Sequence, residues 1–93
     1  MTEKSTIEDL RRYLIDRGYD DASFFVNPDF MDAILGISQD GSVVYSFNKM
    51  VESLMDSDEM TYNEAIEFIE YNTMRTIPYM GTLRPVIVYD IEF

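Results

Sequence analysis

The stretch AILGISQDGSVVY, residues 33–45, contains the pattern that decides the fold. Two strand-like apolar runs, residues 33–37 and 43–45, flank a polar stretch that holds Asp40-Gly41. Glycine readily adopts the positive φ angle of a tight turn, so an Asp-Gly pair between two such runs predicts a β-hairpin.

A helix is predicted on the N-terminal side of the hairpin, over residues 6–17. Apolar residues recur there with helical spacing, and Gly18 stands where a helix commonly ends: Ile7, Leu10 and Leu14. Two capping boxes can begin this helix, one at Ser5 and one at Thr6. The following Phe24-Phe25-Val26 is compatible with a short strand or with a helical turn, and the spacing leaves both open.

Two further helices are predicted after the hairpin. Ser46 can cap the first, whose apolar face repeats at i, i+3, i+4, i+7 and i+8: Phe47, Met50, Val51, Leu54 and Met55. Thr61 and Glu64 form the capping box of the next, with Tyr62, Ala65, Ile66 and Ile69 expected on its buried side. Thr76-Ile77-Pro78 is expected to end it, because residues before proline avoid the α region.

A last apolar run, residues 86–89, predicts a third strand whose pairing direction and neighbour stay open. The order α-β-β-α-α-β predicts one α+β domain over residues 1–93, with a three-stranded sheet and helices packed on one face. The length fits a single domain.

The composition excludes several kinds of function. The chain has 18 Asp and Glu against 7 Lys and Arg, a net charge of −11, and neither His nor Cys. Thiolate and imidazole metal sites and a histidine base are therefore excluded, and we expect no cofactor and no metal. Proteins bind nucleic-acid phosphates mainly through Lys and Arg, and carboxylates outnumber these residues here, so direct nucleic-acid binding is not expected. No signal peptide or membrane span is recognisable, which favours a cytoplasmic protein.

The charge is concentrated in the middle of the chain. Residues 1–18 are balanced, whereas residues 19–75 carry −10 of the −11. The densest acidic run lies between Glu52 and Glu70. Counting Asp56 as position 1 gives it a partial likeness to a calcium loop, but Thr61 stands where such a loop has glycine. A solvent-exposed helix face is the simpler interpretation of this run. A catalytic acid–base pair of carboxylates would need one acid that is buried, and the sequence pattern indicates no buried acid.

The region after the third helix holds the most distinctive polar cluster: Asn72, Thr73, Arg75 and Tyr79. A role in ending the helix is the simpler interpretation, with ligand recognition as the alternative. Met60, Met74 and Met80 are expected near turns, where they either close the core or join Tyr71 and Tyr79 in a contact patch.

About half of the chain resembles small acidic proteins, without assigned activity, of anaerobic gut bacteria and their phages or mobile elements. The resemblance rests on these segments: Asp40-Gly41, Val43-Val44-Tyr45, Met50-Val51-Glu52, EAIEFIEYNT at residues 64–73 and RTIPY at residues 75–79. It implies an intracellular stand-alone domain and transfers no functional residue.

These patterns predict a non-enzymatic, acidic protein-binding module, an inhibitor that occupies the basic nucleic-acid-binding surface of a host protein. An expected radius of gyration near ~12 Å corresponds to a duplex segment with roughly 14 phosphates, comparable to the net charge. The predicted partner-binding residues are Asp56, Asp58, Glu59, Glu64, Glu67, Glu70, Tyr71, Arg75 and Tyr79. The alternatives are a domain that self-associates through an edge strand at residues 86–90, and a small carboxylate-based enzyme.

Overall fold

The central hairpin forms where the sequence predicts it. The computed structural model describes residues 6–91, in which β1 (Ile34–Ile37) pairs antiparallel with β2 (Val43–Ser46). Gly41 in the turn has φ 94°, and a Cβ at this position would lie 3.0 Å from Cδ1 of Tyr19. Both the backbone conformation and the available space therefore require glycine.

The third strand, β3 (Val86–Val88), pairs parallel with β2, so the strand order is β1-β2-β3 and β2 is central. Val43 and Tyr45 on β2 are fully buried, whereas Val86, the partner of Val44, is 39% exposed. The sheet thus has one buried and one partly exposed face. The predicted α+β class with a three-stranded sheet is confirmed.

The first two helices begin at the predicted caps. For α1 (Ile7–Asp16), the amide of Asp9 donates to the Thr6 hydroxyl (3.3 Å), and the amide of Thr6 donates to the Asp9 carboxylate (2.9 Å). Before α2 (Phe47–Ser57), the Ser46 hydroxyl accepts from the amide of Lys49 and donates to Asp90 at 2.8 Å. That second bond ties the chain after β3 to the start of α2.

The last helical region is less regular than predicted. It consists of α3 (Tyr62–Phe68), a π-helical segment (Ile69–Thr73), α4 (Met74–Thr76) and a 3-10 turn (Ile77–Tyr79), with helical backbone angles at every junction. We call residues 62–79 the composite helix. The α-helix ends at Thr76, as the residues before Pro78 predict, and Pro78 lies at the start of the 3-10 turn, where a missing amide hydrogen is tolerated.

The core lies between β2, α1, α2 and the composite helix. Its largest fully buried side chains are Tyr45, Phe30, Leu14, Met50, Leu54 and Ile69. Two residues expected in the core are exposed, Tyr62 at 59% and Met55 at 38%. Met60, Met74 and Met80 are half-buried and pack against the core, so they close it as the simpler interpretation had it.

Residues 23–26 form neither a strand nor a helical turn. Ala22 makes an isolated parallel bridge with Leu83, and the Ser23 hydroxyl donates to the carbonyl of Met80. Phe25 is buried and its ring lies 4.8 Å from that of Tyr45. This segment is therefore held in place by contacts with distant residues and not by a regular local backbone pattern.

Candidate functional site

The acidic residues predicted to bind a partner occupy the end of α2, the following turn and the composite helix. All six are exposed: Asp56, Asp58, Glu59, Glu64, Glu67 and Glu70. Within residues 6–91, ion pairing is confined to Arg11 and Glu8, whose Nε and Oε1 atoms are 3.7 Å apart. No described base therefore neutralises this group, which we call the acidic surface.

The turn between α2 and α3 holds Glu59 in an unusual backbone conformation. The amide of Asp58 donates to the carbonyl of Leu54 at 3.0 Å and closes α2. Glu59 then adopts φ 55°, in the left-handed region that favours glycine. Such a residue costs of order 1–3 kcal/mol, so this glutamate is held there at the expense of stability.

Glu64 has a structural role as well as a place on the acidic surface. Its carboxylate accepts a hydrogen bond from the amide of Thr61 at 2.9 Å, and its own amide donates to the Thr61 hydroxyl at 3.2 Å. The hydrogen bond from the Thr61 backbone lowers the pKa of Glu64. The capping box thus keeps this carboxylate ionised and fixes its position at the start of the composite helix.

The aromatic residues of the predicted site lie further along the same helix. Tyr71 is 61% exposed, and the Arg75 guanidinium carbon lies 5.3 Å from the centre of its ring. Tyr79, at the end of the helix, is 89% exposed. Along residues 62–79 the surface therefore changes from carboxylates to tyrosines with one arginine.

A groove that the sequence did not predict lies beside this surface. Residues 24–28 form one wall, and Phe68, Asn72, Thr73 and Thr76 of the composite helix form the other, with Met80 between them. Its volume is about 470 Å³, and none of the described residues that line it is charged. We call it the loop–helix groove.

Thr73 is the buried polar residue of this groove. Its exposed fraction is 6%, and no fully buried side-chain polar atom within residues 6–91 is left without a hydrogen-bond partner. The neighbouring Thr76 hydroxyl donates to the Thr73 carbonyl at 2.7 Å. The polar side chains available to a group that enters the groove are therefore the exposed ones, such as Asn27 and Asn72.

The distinctive polar cluster of the sequence is divided by the structure. Asn72 and Thr73 line the groove, whereas Arg75 and Tyr79 do not. Asn72 does not cap a helix end, because the composite helix continues past it. The sequence marked this part of the groove only as adjacent amide and hydroxyl side chains after an apolar stripe, and the second wall lies more than 40 positions away in the chain.

The described residues do not form a metal centre or a transmembrane helix. Across residues 6–91, no three acidic side chains come together around a single point suitable for an ion. Asp56 belongs to α2 and Thr61 caps α3, so the calcium-loop spacing is divided between two helices. None of the helices in this part of the chain is long and apolar enough to cross a bilayer.

Comparison of the chain with protein-family models, curated proteins and solved structures returns no match. The resemblance to small acidic proteins of gut bacteria and their mobile elements therefore stays a prediction.

Proposed function

We propose that this protein is a cytoplasmic, non-enzymatic binding module that occupies a basic, nucleic-acid-binding surface of another protein. The observation that supports the proposal is the acidic surface. Its carboxylates are exposed, lie on consecutive secondary-structure elements, and form no ion pair with a base within residues 6–91. Like charges repel one another in the folded state, so this arrangement weakens the fold. A basic partner surface would relieve that repulsion.

The same charges favour rapid association with a basic partner. A field of one sign steers an oppositely charged protein into the encounter and makes the rate depend on salt. Exposed tyrosines on the same helix, Tyr71 and Tyr79, add the side chains that are enriched at protein interfaces. The acidic surface would supply attraction, and the tyrosines would supply contact area.

The dimensions of the molecule refine the comparison with nucleic acid. The radius of gyration is 13.3 Å and the longest extent is 38 Å. A duplex of that length carries roughly 22 phosphate charges, at one per ~1.7 Å. The net charge of −11 is about half of that. The likeness to a duplex therefore rests on the acidic surface and does not extend around the whole molecule.

The proposal is tested by capture from a nuclease-treated lysate at low salt, followed by elution with a 24-base-pair duplex. We expect the retained proteins to be nucleic-acid-binding proteins that the duplex displaces and that high salt releases. Reversal of Glu64, Glu67 and Glu70 to lysine should abolish their retention.

The matched control reverses Asp16, Asp20 and Asp21 to lysine, which changes the net charge equally and leaves the acidic surface intact. Retention by this control at the level of the original protein would show that position matters as well as total charge. Equal loss in both variants, or captured proteins that the duplex does not displace, would contradict the proposal.

Self-association is the second candidate, since β3 is an edge strand and Val86 is 39% exposed. Only Val86–Val88 form the strand, which is shorter than the expected residues 86–90. Short edge strands are a common protection against pairing between molecules. Light scattering after size exclusion tests this candidate, and a monomer at high concentration would exclude it.

A further inference from the structure

We propose that the loop–helix groove binds a large apolar side chain carried by a basic segment of the protein partner. The inference rests on the proposed function and adds the chemistry of the segment that the partner inserts. The groove would supply the specificity that a carboxylate surface lacks, because charge alone attracts any basic protein.

The lining of the groove suits an apolar side chain. Phe24 and Val26 on the loop wall face Phe68 on the helix wall, and Val26 is 63% exposed. An apolar group placed between these walls would remove their surface from water together with its own. The volume of about 470 Å³ is large enough for an aromatic or long aliphatic side chain.

A polar contact is available next to the apolar walls. Asn72 lines the groove and its side chain is exposed. Its side-chain amide can donate to a backbone carbonyl or accept from a backbone amide of an inserted segment. A peptide supplies such groups at each residue, which favours a protein segment as the occupant.

The charges around the groove select a basic segment. Glu64 lies one helical turn before Phe68, and Asn72 and Thr76 continue the same four-residue spacing along the helix. Asp29 follows Pro28 on the opposite wall and is exposed. A segment that places its apolar side chain beside Phe68 would therefore bring neighbouring lysines or arginines close to carboxylates on both sides.

The test uses two synthetic peptides, acetyl-GKKFKKG-amide and the same peptide with alanine in place of phenylalanine. Isothermal titration with the full chain should give binding that is about tenfold or more tighter for the phenylalanine peptide. Both affinities should fall with salt to the same extent. In ¹⁵N-correlated spectra, the phenylalanine peptide should shift the amides of Phe68, Asn72 and Thr73, whereas the alanine peptide should not.

Matched variants separate the groove from the charge. Asn72→Phe fills the groove and should remove the preference for phenylalanine, whereas Asn63→Phe makes the same change at an exposed position outside the groove and should keep it. Val26→Ser weakens the exposed loop wall and is the second test if Asn72→Phe does not fold. Glu64→Gln retains a capping side chain and should weaken both peptides equally.

The outcomes distinguish this inference from the proposed function. If both peptides bind with equal affinity and their binding still depends on salt, the inference about the groove is wrong. The proposal about the acidic surface would be unaffected by that result. If neither peptide shows salt-dependent binding, both the inference about the groove and the proposed function are contradicted. Binding of acetyl-phenylalanine amide as tight as that of the basic peptide would show a small-molecule pocket and overturn the inference as well.

Discussion

The backbone amide of Phe25 donates a hydrogen bond of 3.1 Å to the hydroxyl of Tyr45, inside the core. Tyr45 lies on the central strand, and Phe25 belongs to the loop wall of the loop–helix groove. The rings of the two residues are also 4.8 Å apart. One tyrosine therefore anchors a loop without regular structure to the rigid centre of the sheet.

Tyr45→Phe should destabilise the protein by about 1–3 kcal/mol, because it leaves the buried amide of Phe25 without an acceptor. The ring packing is retained, so the loss reports the hydrogen bond. Urea denaturation followed by circular dichroism measures the free energy of unfolding. Tyr19→Phe, at a half-buried tyrosine outside this hydrogen bond, is the control, and equal losses in the two variants would contradict the assignment.

The stability of the protein should fall at high pH through Tyr45. Burial is the main cause that raises its pKa to about 12 from the ordinary value of 10.0, with a smaller contribution from the charge of Asp29. Between these pH values the unfolded state loses the proton first, so stability decreases as pH rises, by about 2–3 kcal/mol. Urea titrations of the original protein and Tyr45→Phe over this range measure it. A difference between the two that stays constant with pH would refute this origin.

The capping box at the start of the composite helix can be separated from the charge of Glu64. Thr61→Ala should cost about 1 kcal/mol, since the hydroxyl no longer accepts from the amide of Glu64. Glu64→Gln keeps a side chain that can return the bond to the Thr61 amide and should cost less near neutral pH.

The lowered pKa of Glu64 also predicts a pH dependence. Its stabilising effect is present above the ordinary value of 4.5 and is lost as pH falls through the lowered pKa. Thermal denaturation from pH 6 to pH 3 should show a smaller change for Glu64→Gln than for the original protein. Identical pH profiles would mean that the cap does not depend on the carboxylate charge.

Glu59→Gly should stabilise the protein by a few tenths of a kcal/mol up to about 1 kcal/mol. Glycine adopts the left-handed conformation of this position without steric cost, although its greater freedom in the unfolded chain offsets part of the gain. Glu59→Ala, which removes the same charge but keeps a Cβ, is the matched control. If the alanine variant is as stable as the glycine variant, relief of charge repulsion and not of backbone strain is the cause.

The parts of the fold that depend on neighbouring residues could be predicted from the sequence. The turn at Gly41 and the caps at Thr6, Ser46 and Thr61 need only local hydrogen bonds or a local backbone conformation, and each forms as expected. The exposure of the acids also follows from the cost of burying charge.

The remaining features depend on contacts between distant segments. The parallel pairing of β3 with β2 brings Val86 beside Val44, and no local pattern specifies that direction. The loop–helix groove likewise needs residues 24–28 against residues 68–80, through contacts such as that of Ser23 with Met80. The π-helical segment was also missed, because Thr73 is buried but polar and gave no apolar signal.

The π-helical segment explains how the composite helix keeps one buried stripe. Ala65, Ile69 and Thr73 are buried at intervals of four residues. In a regular α-helix, with 3.6 residues per turn, side chains at this interval would move gradually away from the buried face. Hydrogen bonding from i to i+5 widens the turn at Ile69–Thr73 and takes up the extra residue. The widened turn also carries Asn72 and Thr73 of the groove.

Deletion of the exposed Glu70 should convert this segment to regular α-helix. The buried positions would then follow intervals of four and three residues, which a regular helix keeps on one face, so we expect the protein to stay folded and to change in stability by less than about 2 kcal/mol. Deletion of the exposed Glu52, within the regular helix α2, would place Leu54 two positions after Val51 and off the buried face, and should destabilise the protein much more. Because the deletion of Glu70 narrows the turn that carries Asn72 and Thr73, it should also remove the preference for the phenylalanine peptide. Equal destabilisation by the two deletions, measured in urea, would show that the wide turn is not an inserted residue in an otherwise regular helix.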